Sequence, residues 1–253
     1  MKQLTIQEIR QKVEEYSHQL PELRLPTGHP DGRSMAKWID HTLLKPEALP
    51  AQVEQLCAEA RQYQFASVCV NPLFGRLAAS QLEGSGVPVC VVVGFPLGAN
   101  PSRVKVVETR TSIEDGATEI DMVVPIGLLR AGSLEAVMDD IQAVCETAHA
   151  QNAIVKVILE NTFLDQAAKI AGCLLSQAAG VDFVKTSTGF GPSGATLADV
   201  ELMRRVVGPD MGVKAAGGIR SLADAEAFLA AGATRLGSSS GVKIMQEIEA
   251  RGS

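Results

Sequence analysis

The run Val87-Pro88-Val89-Cys90-Val91-Val92-Val93 is apolar at every position and mostly β-branched. A strand with one wet face alternates apolar and polar residues. One without alternation is buried on both faces, as strands are in a parallel sheet covered by helices. Seven further short runs read as strands, several of them nearly continuous in Val and Ile: residues 38–44 (WIDHTLL), 65–70 (FASVCV), 119–124 (EIDMVV), 153–159 (AIVKVIL), 181–185 (VDFVK), 211–217 (MGVKAAG) and 234–239 (TRLGSS). Helical patterns follow them at about 51–63, 73–84, 101–115, 133–150, 164–179, 196–207, 221–231 and 241–249. Eight βα units in this length predict an α/β protein with a closed (β/α)8 TIM barrel. An open doubly wound sheet is the alternative, and the strand count separates the two.

Upstream, Ile6, Ile9, Val13, Tyr16 and Leu20 recur at helical spacing, which predicts an extra N-terminal amphipathic helix over residues 4–20. The stretch LPTGHPDGRS, residues 25–34, holds two Pro and two Gly and reads as a connector without regular structure. The expected organisation is a helical extension and linker over residues 1–37 and a barrel over 38–253. The extension could cap the barrel bottom or serve an oligomer interface.

Of the 253 residues 46% are apolar and 21% charged, which excludes intrinsic disorder. A net charge of −6 argues against a nucleic-acid surface, which needs a basic patch. Charged residues interrupt the first thirty positions, so no signal-peptide core is read there, and no apolar run is long enough for a membrane span. Five widely spaced cysteines without a CxxC pair suggest reduced thiols and a cytoplasmic protein.

Charged residues break the buried pattern at Asp40, Asp121, Lys156, Lys185 and Lys214. Charge is almost never fully buried unless paired or functional. Lys185 and Lys214 lie 29 residues apart, one βα repeat, and so should occupy equivalent positions on neighbouring strands at the barrel end where chemistry is carried. Crowding and desolvation should then depress the pKa of at least one. A neutral lysine attacks a carbonyl to form a Schiff base, an electron sink for making or breaking the adjacent carbon–carbon bond. Asp121 and Asp40 are the candidates to move protons. The competing reading is a set of buried ion pairs bracing the barrel, to which Lys156 is the best suited as a supporting cation.

After the seventh strand comes Ala215-Ala216-Gly217-Gly218-Ile219-Arg220, and after the eighth Leu236-Gly237-Ser238-Ser239-Ser240-Gly241, each before a helix. Glycine permits close backbone approach, and barrel loops 7 and 8 are the usual phosphate cradle. Plain turns and caps are the alternative, weakened by finding two such loops side by side. The sequence Gly189-Phe190-Gly191-Pro192-Ser193-Gly194 matches a dinucleotide fingerprint, but the next strand ends in Lys214-Ala215-Ala216-Gly217 and not in the required acidic residue. No histidine pattern suggests a metal. His41 reads as a structural hydrogen-bonding residue. Cys69 reads first as a packed core thiol, although an inward thiol could meet a reactive aldehyde.

In order and spacing, Asp40-His41-Thr42-Leu43-Leu44-Lys45-Pro46, ASVCVNP, VVVGFPLG, EIDMVV, Val184-Lys185-Thr186-Ser187-Thr188-Gly189-Phe190, Val213-Lys214-Ala215-Ala216-Gly217-Gly218-Ile219-Arg220 and LGSSSG resemble the deoxyribose-phosphate aldolases, a class I family with a (β/α)8 barrel. The resemblance spans residues 38–242. It implies that Lys185 forms the Schiff base, Lys214 lowers its pKa, Asp121 relays protons and Asp40 assists. Gly217, Gly218, Ser239 and Ser240 would hold phosphate. Thr188, Gly189, Lys156, Cys69 and Thr42 would complete the substrate site. The implied partners are small phosphorylated sugars and aldehydes, without metal or organic cofactor, nucleic acid or membrane, in a homodimer or homotetramer. Three features depart from the family: no tyrosine near the C-terminus, Glu160-Asn161 where the family has Glu-Thr, and the N-terminal extension. Two other functions stay open. One is Schiff-base chemistry on another phosphorylated sugar or a keto acid, and the other is a sugar-phosphate-binding barrel without catalysis.

Overall fold

In the computed structural model, which describes residues 4–26, 28 and 32–251, eight parallel strands close into a barrel in chain order. They are β1 (Ile39–Leu43), β2 (Ser67–Val70), β3 (Val89–Val93), β4 (Glu119–Val123), β5 (Ile154–Ile158), β6 (Phe183–Lys185), β7 (Gly212–Ala216) and β8 (Arg235–Ser238). β8 pairs with β1, which leaves no edge and rules out the open sheet. All five residues of β3 are buried, as the unbroken apolar run requires.

The outer layer is built from α2 (Pro50–Tyr63), α3 (Gly75–Leu82), α4 (Ser102–Glu114), α6 (Leu134–His149), α7 (Gln166–Ala178), α8 (Leu197–Val207), α9 (Leu222–Ala230) and α10 (Gly241–Arg251), with a one-turn α5 (Ile126–Arg130) ahead of α6. The sequence reading has no counterpart to α5, because five residues are too few to show helical periodicity. Helix starts follow the local chemistry. Asp165, Thr196 and Ser221 cap α7, α8 and α9 by accepting from the backbone N–H of Ala168, Asp199 and Asp224.

The N-terminal helix α1 (Ile6–His18) starts with a capping box: Thr5 Oγ1 accepts from Glu8 N–H, and Glu8 Oε2 accepts from Thr5 N–H. α1 lies against the flank of the barrel along α7, with Ile9 fully buried, Arg10 paired with Glu135 on α6, and Pro21 carbonyl accepting from Arg205 on α8. The connector reading needs correction at its end, since a 3-10 helix over Gly32–Trp38 leads straight into β1 and buries Met35 and Ala36. Apolar anchoring there outweighs the preceding Gly and Pro. Residues 27 and 29–31 of that stretch lie outside the described residues. No described helix is long and apolar enough to cross a membrane.

Candidate active site

Strand register brings the charges together. Lys185 is the direct neighbour of Lys214, and Lys214 of Arg235; Asp121 is the neighbour of Lys156. Asp121 is fully buried and ringed by ammonium groups. Its Oδ2 accepts from Lys185 Nζ and Lys214 Nζ, each at 2.7 Å, and its Oδ1 from Lys156 Nζ at 2.8 Å. Asp40 joins from β1, with Lys214 Nζ 2.5 Å from Oδ2 and Arg235 Nη1 2.6 Å from Oδ1. Glu119 completes the layer below, 2.5 Å from Lys156 Nζ and 3.4 Å from Arg235 Nη1. Gly237, the neighbour of Asp40 on β8, makes room for this: a Cβ there would sit 3.2 Å from Lys214 Cε.

These contacts fix the charge states. Burial alone would raise the carboxyl pKa of Asp40, but Arg235, Lys214 and Lys156 outweigh it and hold it well below the usual carboxylate range. Burial acts likewise on Asp121, where Lys156, Lys185 and Lys214 win in the same direction. The expected depression by lysine crowding is not what governs Lys214: burial pushes it down, but Asp121 and Asp40 raise it above an ordinary lysine. At Lys214 the two carboxylates outweigh both burial and its lysine neighbour.

Above this layer, at the C-terminal end of the strands, opens a cavity of about 390 Å3. Among the described residues, Lys185 is the only one of the three buried barrel lysines that lines it. Of the other expected contacts, Thr42, Thr188, Gly189, Gly217, Gly218 and Ser239 line it too. Gly217 and Gly218 have φ of +87° and +88°, a region that favours glycine, and a Cβ on Gly217 would lie 2.8 Å from Gly194 Cα.

Three expected contacts do not reach the wall. Lys156 is fully buried one layer down: it pairs in register with Phe183, two residues before Lys185, so its Nζ is spent on Asp121 and Glu119. Cys69 is fully buried, packed with Leu44, Cys90 and Val92. Ser240 does not line the cavity and donates its N–H to Ser238 Oγ. His41 faces the helices, 2.7 Å from Glu59 and tilted on Phe65.

The sequence reading missed Glu119 and Arg235, which complete the charge network, and the wall residues Lys45, Ser238 and Arg220. Glu119 and Arg235 open their strands, where charge is ordinarily solvated, and only their inward parity could have marked them. Arg220 directly follows the Gly-Gly turn, a signal that was available.

Cys69, Cys90 and Asp121 could in principle ligate a metal, and they are the only such group among the described residues. Three ammonium groups already surround Asp121, which makes the place hostile to a cation. The constellation suits amine chemistry on a carbonyl, and Gly217, Gly218 and Ser239 line the cavity beside Lys185.

A family model described as DeoC/LacD family aldolase matches residues 34–247. The chain is 57% identical over 216 residues to a deoxyribose-phosphate aldolase of Streptococcus gordonii, covering 85% of this chain and 97% of that protein. It is 56% identical over 216 residues to one from Streptococcus suis, with the same coverage. Its structure matches the tetrameric deoxyribose phosphate aldolase of Aeropyrum pernix with a TM-score of 0.83 at 34% identity, over 98% of this chain and 100% of that one. Coverage that high takes in most of the N-terminal extension as well as the barrel.

Proposed function

This chain belongs to the DeoC/LacD aldolase family, and from that premise we propose that it reversibly cleaves 2-deoxy-D-ribose 5-phosphate to D-glyceraldehyde 3-phosphate and acetaldehyde through a Schiff base on Lys185. The observation that carries the assignment is that Lys185 alone among the three buried barrel lysines opens into the cavity, while its Nζ touches Asp121. Four cations (Lys156, Lys185, Lys214, Arg235) face three carboxylates (Asp40, Glu119, Asp121) in the buried network. Lys185 is the member of that network that meets the cavity.

In the proposed sequence, the neutral Lys185 amine adds to the C1 aldehyde, and the carbinolamine loses water to give an iminium ion. A base removes the C3 hydroxyl proton, the C2–C3 bond breaks, and its electron pair passes into the iminium to form an enamine. Glyceraldehyde 3-phosphate leaves, C2 takes a proton, and water hydrolyses the imine to release acetaldehyde and free Lys185. Asp121 is the proton carrier at the lysine nitrogen. Lys214, held charged by Asp40 and Asp121, fixes that carboxylate in place. The phosphate would lie against Gly217, Gly218 and Ser239, with Lys45 and Arg220 adding positive charge at the rim. Lysine chemistry of this kind requires neither metal nor organic cofactor. The tetrameric relative supports a homo-oligomer, and the composition a cytoplasmic one.

Asn161 gives no support to a different substrate: its Nδ2 points to Met203 Sδ at 3.2 Å, and it does not line the cavity. Lys185→Ala is expected to abolish turnover of 2-deoxyribose 5-phosphate, with the far-UV circular dichroism unchanged. Near-native turnover by that variant would refute the assignment. Faster cleavage of another sugar phosphate by the wild type would replace the substrate, and absence of any aldol turnover would leave a binding barrel.

A further inference from the structure

Glu160, two residues past the end of β5, is the least expected residue near the cavity. It is 1% exposed and holds a left-handed backbone, φ +56° and ψ +63°, which non-glycine residues rarely adopt. Such an outlier persists only when its surroundings over-determine it. Here they do: Leu159 N–H donates to Lys185 carbonyl at 3.0 Å and Asn161 N–H to Thr186 carbonyl at 2.9 Å, clamping both sides of Glu160 to the chain that carries Lys185.

What that backbone delivers is one carboxylate oxygen. Glu160 Oε2 accepts from Thr188 N–H at 3.1 Å and, at very short range, from Thr188 Oγ1; that same Oγ1 accepts from Phe190 N–H at 3.0 Å. Thr188, Gly189 and Phe190 form one wall of the Lys185 cavity. Thr188 and Phe190 also face a second cavity of about 300 Å3, and Glu160 lines that one only. Glu160 therefore stands behind the wall, not in the site. Gly191 leaves the space it needs, since a Cβ there would lie 3.1 Å from Glu160 Oε1.

We infer that Glu160 is a positioning residue that holds the Thr188–Phe190 wall in its substrate-binding shape through Thr188. The inference rests on the Lys185 cavity being the substrate site. Loss of the carboxylate frees two donors on Thr188 and, through Oγ1, loosens Phe190 N–H. The wall then spends part of its time out of place, and substrate pays the reordering on binding. Such a fault appears in KM more than in kcat.

The test uses full-length protein with three variants. Glu160→Gly suits the left-handed backbone, so it removes the carboxylate without adding strain, and Glu160→Gln keeps an acceptor oxygen. Thr188→Val removes the hydroxyl while keeping its shape. Amide hydrogen exchange over residues 187–191 is expected to quicken about tenfold or more in Glu160→Gly and partly in Thr188→Val, and to return towards wild type in Glu160→Gln. KM for 2-deoxyribose 5-phosphate should rise about tenfold in Glu160→Gly, kcat should change less, and Glu160→Gln should rescue it. Unchanged exchange in Glu160→Gly overturns the inference, as does a Glu160→Gln variant as impaired as Glu160→Gly. The exchange arm needs no activity, so it stays decisive even if wild-type protein fails to form a lysine adduct with acetaldehyde. That failure would instead sink the functional reading.

Discussion

Lys156 and Lys185 carry the same charge inside the same barrel, and their different surroundings predict opposite mutant phenotypes. Lys156 is sealed between Glu119 and Asp121, so Lys156→Met takes the one cation from Asp121 Oδ1 and leaves buried Glu119 with only Arg235 at 3.4 Å. Breaking such a network from one side costs about 3–5 kcal/mol, which a urea denaturation midpoint will register. Lys185 lines the cavity, and Asp121 Oδ2 keeps Lys214 when it is gone, so Lys185→Ala should cost far less stability while removing activity. A Lys156→Met variant as stable as wild type would show that the lower layer contributes nothing. Lysines and aspartates in apolar strands were legible because charge in a buried run is anomalous, and the 29-residue interval correctly placed Lys185 beside Lys214. The sign of the Lys214 shift was not legible. It depends on Asp121 and Asp40 from strands far away in sequence, whose distances a linear reading cannot supply.

At the level of elements, periodicity carried the reading. Eight short runs became eight strands among the described residues, and the unbroken apolar stretch of β3 is the clearest mark of burial on both faces. The one-turn α5 and the 3-10 helix over Gly32–Trp38 escaped, being too short for a period or set in a stretch that Gly and Pro punctuate. α1 was legible as a helix but not in its docking, which depends on its packing along α7, on the burial of Ile9 and on the Arg10–Glu135 pair. Ile9 is fully buried, so Ile9→Ala should lower stability by about 2–5 kcal/mol in chemical denaturation, with kcat unchanged because α1 is remote from the cavity. A loss of under half a kcal/mol would mean that α1 is only loosely held.

Over the whole molecule, the buried network couples stability to pH. Asp40 and Asp121 have folded-state pKa values below the ordinary 3.8, so the stabilisation they bring is present above that pH and is lost as pH falls below it. Lys214 is raised above the ordinary 10.5, so its contribution is present below that pH and fades as pH rises beyond it. Thermal midpoints should therefore fall steeply on acidification below about pH 4, and Asp40→Asn should shallow that limb while lowering the midpoint at neutral pH. An acid limb of undiminished steepness in Asp40→Asn would remove Asp40 from this role. The pH dependence and the proposed chemistry both trace to one arrangement, a carboxylate shared by three lysines of which one meets the cavity. The most direct test of that arrangement is incubation with acetaldehyde and borohydride, followed by peptide mapping. A single reductively trapped ethyl group on Lys185 is the predicted result. An adduct on Lys214 or scattered over surface lysines, or none at all, would contradict the assignment of Lys185 as the nucleophile.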